Sequence, residues 1–185
     1  TTLLALYAKC GMLDKARQVF QSLSVRDIVA WSALQSGYYE YGFDEETLNC
    51  LEQMQLEGVS PDVVIYVCSL KACGSMGAMD KGREIHSRME REGVIERDTS
   101  ACNALIEMYA ACHSIDDALV VFNSIEKKDI SVWNALASAY SDLGYGDEVL
   151  NLFNRMQQEK IGSDTFLFVI KIKAYTKMSR LDLGK

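Results

Sequence analysis

Apolar side chains recur along this chain at helical offsets, with polar residues between them. In WSALQSGY (31–38), CNALIEMY (102–109) and WNALASAY (133–140), one offset holds Trp31, Cys102 and Trp133. Leu34, Leu105 and Leu136 follow three residues later, and Tyr38, Tyr109 and Tyr140 four after that. This spacing puts the three side chains on one face of an α-helix. A second amphipathic stretch opens on Asp14, Asp80, Asp116 or Asp147, which suits the positive end of a helix. Two residues on stands Ala16, Gly82, Ala118 or Val149. Phe20, His86, Phe122 or Phe153 comes next, and then Leu23, Met89, Ile125 or Met156. That stripe is the packing face of a second helix. Gly11, Gly42, Gly77 and Gly144 lie between the halves, where a tight turn needs them.

The pattern predicts first-half (A) helices over 2–10, 30–41, 64–75, 100–112, 131–143 and 166–178. It predicts second-half (B) helices over 13–23, 44–57, 80–92, 116–126 and 147–160. No stretch alternates with period two, so no sheet is expected. The helix pairs repeat. Four consecutive units, 28–62, 63–98, 99–129 and 130–164, end on aspartate, and their lengths are 35, 36, 31 and 35 residues. A partial unit, 1–27, closes at Asp27 before them, and another, 165–185, follows. Self-similarity at this period predicts an all-α solenoid of helix-turn-helix repeats, one continuous array over 1–185 in which each unit contacts mainly its neighbours.

Composition adds limits. No Pro/Gly/Ser linker divides the chain, whose single proline is Pro61. No apolar run approaches the about 20 residues of a membrane span. Six cysteines, Cys10, Cys50, Cys68, Cys73, Cys102 and Cys112, fall along helical stripes without a CxxC pair, so reduced, mostly buried thiols are expected. His86 and His113 are the only histidines, and neither lies in an HxE sequence followed by PCxxC, so the zinc-deaminase signature is absent. No phosphate loop or GxSxG occurs. No metal, cofactor or enzymatic function is expected. The chain reads as an excerpt from a longer array, with Leu3, Leu4 and Leu6 at one end and Phe166, Phe168 and Ile170 at the other as faces awaiting neighbours.

Units on the pattern W/Y-N-A-L-I-x-x-Y, then G-x-x-D-x-A-x-x-x-F-x-x-M, then a terminal Asp, with YAKCGMLDKARQVF (7–20) and LKACGSMGAMDKGREIH (70–86) especially close, resemble the pentatricopeptide repeat. The cycling of 31-, 35- and 36-residue units resembles the plant subfamily in which short, standard and long units alternate. The resemblance covers essentially the whole chain. It implies a right-handed superhelix that binds single-stranded RNA, one base per unit, in a plant mitochondrion or chloroplast. In the family the A helices line the groove, and the fifth and last residues of each unit choose the base. The second residue is a spacer between bases.

Carried over residue by residue, the base-reading pairs are Thr1 with Asp27, Ser32 with Asp62, Val67 with Asp98, Asn103 with Asp129, and Asn134 with Asp164. The spacers are Val29, Val64, Ser100, Ser131 and Phe166. Lys9 and Lys177 stand where the family often keeps a phosphate-facing lysine. A small hydroxyl with Asp favours guanine in the family, and Asn with Asp favours uracil over cytosine. Hydroxyl and amide groups carry donor and acceptor capacity, and the carboxylate only accepts. Val67 and Val169 can do neither, so the implied preference is 5′-GGNUUN-3′, with C tolerated at either U. The alternating unit lengths resemble proteins that select sites for C-to-U RNA editing, with an editing deaminase or other editing factors supplying the chemistry.

Charge points the other way. The formal net charge is −7, whereas phosphate contacts normally dominate nucleic-acid affinity. The residues equivalent to Lys9 in the full units are Glu40, Ser75, Ala111 and Asp142. The expectation is weak RNA binding by this stretch alone. The alternative class is a helical-repeat scaffold for protein–protein interaction.

Overall fold

The structure, a computed structural model, describes residues 1–95, 97–159, 161, 162, 165 and 168–173. The A helices are α1 (Thr2–Lys9), α3 (Ile28–Glu40), α5 (Val63–Met76), α7 (Thr99–Ala111) and α9 (Ile130–Leu143). The B helices are α2 (Leu13–Ser22), α4 (Asp44–Leu56), α6 (Met79–Arg91), α8 (Ile115–Ser124) and α10 (Gly146–Gln158). Residues 168–173 are helical as well, inside the A helix expected over 166–178, the rest of which lies largely outside the described residues. No strand occurs among the described residues. The fold is the all-α succession of helix-turn-helix repeats that the periodicity predicts.

Helix α3 starts two residues before its expected start, and α5, α7 and α9 one residue before theirs. The reason is the aspartate ahead of each, whose side chain takes up an otherwise orphaned amide of the first turn. The B helices have no such cap. Their acidic residues sit in the first turn, where they act on the helix dipole instead. Between the halves, Gly11, Gly42, Gly77 and Gly144 all have positive φ. In the 31-residue unit His113 (φ 59°) takes that place, a left-handed position that the glycine row did not reveal.

The chain forms two compact units, Thr1–Val94 and Ile95–Lys185. In the first, α3 packs between α1 and α5; α2 contacts α1 and α3, and α4 contacts α3 and α5, while α6 packs on α5. The α1–α3 approach is close: a Cβ added at Gly37 would lie 2.8 Å from Ala8 Cβ. In the second unit α7 and α9 pack together, α8 contacts both, and α10 packs on α9.

Each core joins one repeat to the next. Trp31 meets Phe20 of the preceding repeat edge-on, with ring centroids 4.5 Å apart, and Trp133 meets Phe122 in the same way at 5.0 Å. Such a pair contributes about 0.5–1.5 kcal/mol beyond its buried area. Tyr38, Tyr109 and Tyr140 are buried beneath the A helices, as are Ala16, Ala118 and Val149 on the B helices. The B helix of unit 28–62 departs from the stripe, with Thr47 and Leu51 standing where other units have the small residue and Phe. Thr47 is fully buried, and its carbonyl accepts from Gln35 Nε2 at 3.0 Å. The same amide nitrogen donates to Ser69 Oγ at 2.9 Å, so one buried Gln ties α3 to both α4 and α5.

The expectation for the chain ends needs correction. Leu3, Leu6 and Phe168 are exposed, but Leu4 and Ile170 are already buried within their own units. Among the cysteines, Cys50, Cys68, Cys73 and Cys102 are buried, Cys112 is half-buried and Cys10 is exposed; all six are free thiols. Burial pushes the Cys50 thiol up to about 12.

Candidate nucleic-acid interface

The A helices begin at the terminal aspartates. Asp27 Oδ1 accepts from Ala30 N and Asp62 Oδ1 from Ile65 N, each at 2.9 Å. Asp98 accepts from Ser100 N at 2.8 Å, and Asp129 from Ser131 N at 2.9 Å and Val132 N at 3.1 Å. All four are therefore N-caps. This role leaves acceptor capacity over, because a carboxylate has about four lone-pair sites.

In unit 28–62 that capacity faces the fifth residue. The half-buried Ser32 hydroxyl donates to Asp62 Oδ2 at 3.4 Å. Beside it the spacer positions Val29 and Val64 are 58% and 50% exposed, apolar side chains held in solvent at the start of α3 and α5. Aliphatic groups left in water beside a hydroxyl–carboxylate pair form a surface on which an aromatic ring can rest while its edge meets the pair.

Unit 99–129 is built differently. Asn103 Nδ2 donates to Ser131 Oγ at 2.8 Å, and the Ser131 hydroxyl donates to Asp129 Oδ1 at 2.6 Å. Thr99 donates to Asp129 Oδ2 at 3.0 Å. The fifth and last residues are thus joined through the second residue of the next unit. Asn103 Oδ1 is buried and meets no protein donor. The Ser131 hydroxyl, first among several donors, holds the Asp129 carboxyl below the usual aspartate range against the opposing effect of burial. Ser100 likewise donates to Asp98. Sequence reasoning treated both serines as spacers and did not single out Thr99. The signal that could have found these links was a Ser two residues after Asp, which favours a local side-chain turn.

The other expected positions lie as follows. Val67 is half-buried on α5 in the first compact unit, whereas Asp98 caps α7 in the second. Asn134 is half-buried on α9, and its partner Asp164 lies outside the described residues, as do Phe166 and Lys177. Thr1 is exposed as the N-cap residue of α1, with no side-chain capping bond. Lys9 is exposed in the last turn of α1, and its carbonyl accepts from the Tyr41 hydroxyl at 2.9 Å. On the same row Glu40, Ser75, Ala111 and Asp142 are all exposed. In the second unit an open depression of about 250 Å³ between α7 and α9 is lined by Glu107, Ala111, Ser138 and Asp142 among others, and its charge is unfavourable to phosphate. Among the described residues no group of side chains could hold a metal ion, and no helix is long and apolar enough to cross a membrane.

Comparison with known proteins bears on the family. The chain is 32% identical to a chloroplastic pentatricopeptide repeat-containing protein of Arabidopsis thaliana over 97% of its length, covering 22% of that protein. It is 34% identical over 63% of its length to a mitochondrial one from the same plant, covering 15%. It therefore spans about a fifth or less of these relatives. Its fold matches that of the pentatricopeptide repeat protein PPR10 in complex with an 18-nt psaJ RNA element, with TM-score 0.79 at 20% identity over 97% of this chain and 27% of that one. PPR10 from maize gives TM-score 0.76 at 20% identity, over 98% and 27%. The PPR repeat profile matches residues 1–28, 64–94, 100–130 and 131–161, and the stretch it passes over holds the helix pair α3–α4. With four matched stretches spanning well over half of its residues and the helix pairs to go with them, the chain belongs to the pentatricopeptide repeat family.

Proposed function

We propose that this chain is part of an organellar RNA-binding array that reads single-stranded RNA one base per unit, with the preference 5′-GGNUUN-3′. The observation that carries this reading is the pairing of fifth and last residues. Ser32 meets Asp62 directly, and Asn103 is joined to Asp129 through one hydroxyl. Both pairs sit at the starts of A helices, where base-sized ligands can meet polar edges, and the Ser32–Asp62 pair has the exposed Val29 and Val64 beside it. The fold shared with PPR10, a protein crystallised with an RNA element, supports the same reading. So does the family of the chain, some of whose similar relatives are named chloroplastic or mitochondrial.

Within this reading the repeats form one continuous array over 1–185. The alternation of 35-, 36- and 31-residue units favours site selection for C-to-U editing. The deaminase lies elsewhere in the protein or on a partner, because these residues contain no HxE…PCxxC set. Exposed Glu40 and Asp142 oppose phosphate, so affinity rests on stacking and base contacts and on further units. The same two acids favour a second reading, a scaffold for a basic protein segment.

The test is binding of the protein expressed from its complete reading frame to RNAs built around GGNUUN. Replacing either U by a purine should weaken binding by about tenfold or more. Indifference to the replacement, together with an RNase-insensitive protein partner, would favour the scaffold.

A further inference from the structure

Ser131 stands at a spacer position, but its contacts belong to the unit before its own. A serine hydroxyl has one proton to give, and a carboxylate can only accept, so the 2.6 Å contact fixes that proton on Asp129 Oδ1. The oxygen is then left to accept, and the group that faces it at 2.8 Å must be the Asn103 NH2 rather than its carbonyl. The chain of bonds runs one way, from amide to hydroxyl to carboxylate. It settles the amide orientation, which in Asn is otherwise open to a flip. The Asn103 carbonyl oxygen is left buried with no protein donor, next to the second N–H of the same amide.

We propose that Ser131 is a positioning residue for base choice by the preceding unit: its hydroxyl couples Asn103 to Asp129 and fixes the Asn103 amide with its carbonyl oxygen turned inward, so that the amide meets a base as a donor. The inference rests on the RNA-reading function proposed above. An amide N–H beside an accepting carboxylate matches uracil, where N3–H lies between two carbonyl oxygens. The other units supply the contrast. Where the spacer is Val64, Asp62 receives the fifth residue, Ser32, directly. Ser100 also binds its aspartate, but the fifth residue of that unit is Val67, which offers nothing to bridge. Asp129 carries more hydroxyl and amide donors than the other caps, and these donors hold its carboxyl low.

The test compares Ser131→Val, Ser131→Thr and the unaltered protein, each expressed from its complete reading frame, against RNAs differing only at the fourth nucleotide of GGNUUN. Ser131→Val should lower the preference for uracil there by roughly three- to tenfold, the worth of one net hydrogen bond. Preference at the fifth nucleotide, read by Asn134, should stay as it was. Ser131→Thr, which keeps the hydroxyl, should restore the preference. If Ser131→Val changes affinity for all RNAs equally and leaves the fourth-position preference intact, Ser131 is only a spacer and the inference fails while RNA reading stands. If the unaltered protein shows no preference at the fourth nucleotide, the reading itself fails and the inference with it.

Discussion

The Ser32 hydroxyl lies 3.4 Å from Asp62 Oδ2, while the other oxygen of the same carboxylate holds the Ile65 amide at 2.9 Å. One side chain thus starts helix α5 and faces the fifth residue of the unit it closes. On the proposed reading, helix capping and base recognition share this carboxylate, so a substitution at Asp62 moves both, and two substitutions are needed to separate them.

Asp62→Ala should destabilise the first compact unit by about 1 kcal/mol, the usual cost of losing an Asn, Asp, Ser or Thr cap. Asp62→Asn should leave stability nearly unchanged, because Asn caps as well as Asp. It should nevertheless reduce the preference for guanine at the second nucleotide, since it adds a donor where only an acceptor stood. Thermal melts read the first effect and competition binding the second. Equal loss of stability in both variants would contradict the assignment.

Asn134→Thr replaces an amide by a small hydroxyl at the fifth position of unit 130–164. Preference at the fifth nucleotide should move from uracil towards guanine, with the fourth nucleotide unaffected. Binding to a panel of four RNAs varied at that nucleotide checks it. A uniform change across the panel would place Asn134 outside the reading pair.

The depressed Asp129 carboxyl makes a pH prediction. Its folded value lies below its ordinary 3.8, held there first by the Ser131 hydroxyl. The ionised form is therefore favoured by folding. Its contribution is fully present above pH 3.8 and is lost as pH falls through the lower folded value. The stability difference between the unaltered protein and Asp129→Asn should be flat from pH 7 to 5 and should shrink below about pH 4. Urea unfolding at stepped pH measures it. Because Asp129 is exposed, the difference should be small and should decrease with salt.

Gln35→Ala should cost roughly 1–3 kcal/mol for the stranded polar groups alone, with a cavity term added. The substitution leaves the Thr47 carbonyl and the Ser69 hydroxyl without their shared donor. Urea unfolding should show a lower midpoint, with amide exchange accelerated in α3, α4 and α5. Protection loss confined to α3 would mean that the buried amide does not link the three helices.

The helices were legible because each carries its own evidence: apolar offsets of three and four, an acidic first turn, and a glycine after the A helix. The exceptions have local causes. The packing stripe of the B helix of unit 28–62 breaks at Thr47, whose polarity is absorbed by burial beside Gln35, yet the helix itself, expected over 44–57, runs Asp44–Leu56. The turn at His113 hides because a left-handed histidine leaves no mark that a glycine would. The candidate site was half legible. The Asp–fifth-residue spacing can be read in series along the chain, and a Ser two residues after Asp marks the local bond to the carboxylate, but nothing along the chain shows that Ser131 also receives Asn103.

By itself, the sequence determined the helix-pair repeat, because periodicity and capping act within about one turn to one unit of chain; the residues proposed to read a base came from the resemblance to the family. Which of those residues touch was decided by tertiary packing. Ser32 and Asp62 are 30 residues apart and Asn103 and Ser131 are 28 apart, distances closed only when successive A helices lie side by side. Hydrogen bonds form over a few ångströms, and only the packed α3–α5 and α7–α9 pairs bring the partners within that reach.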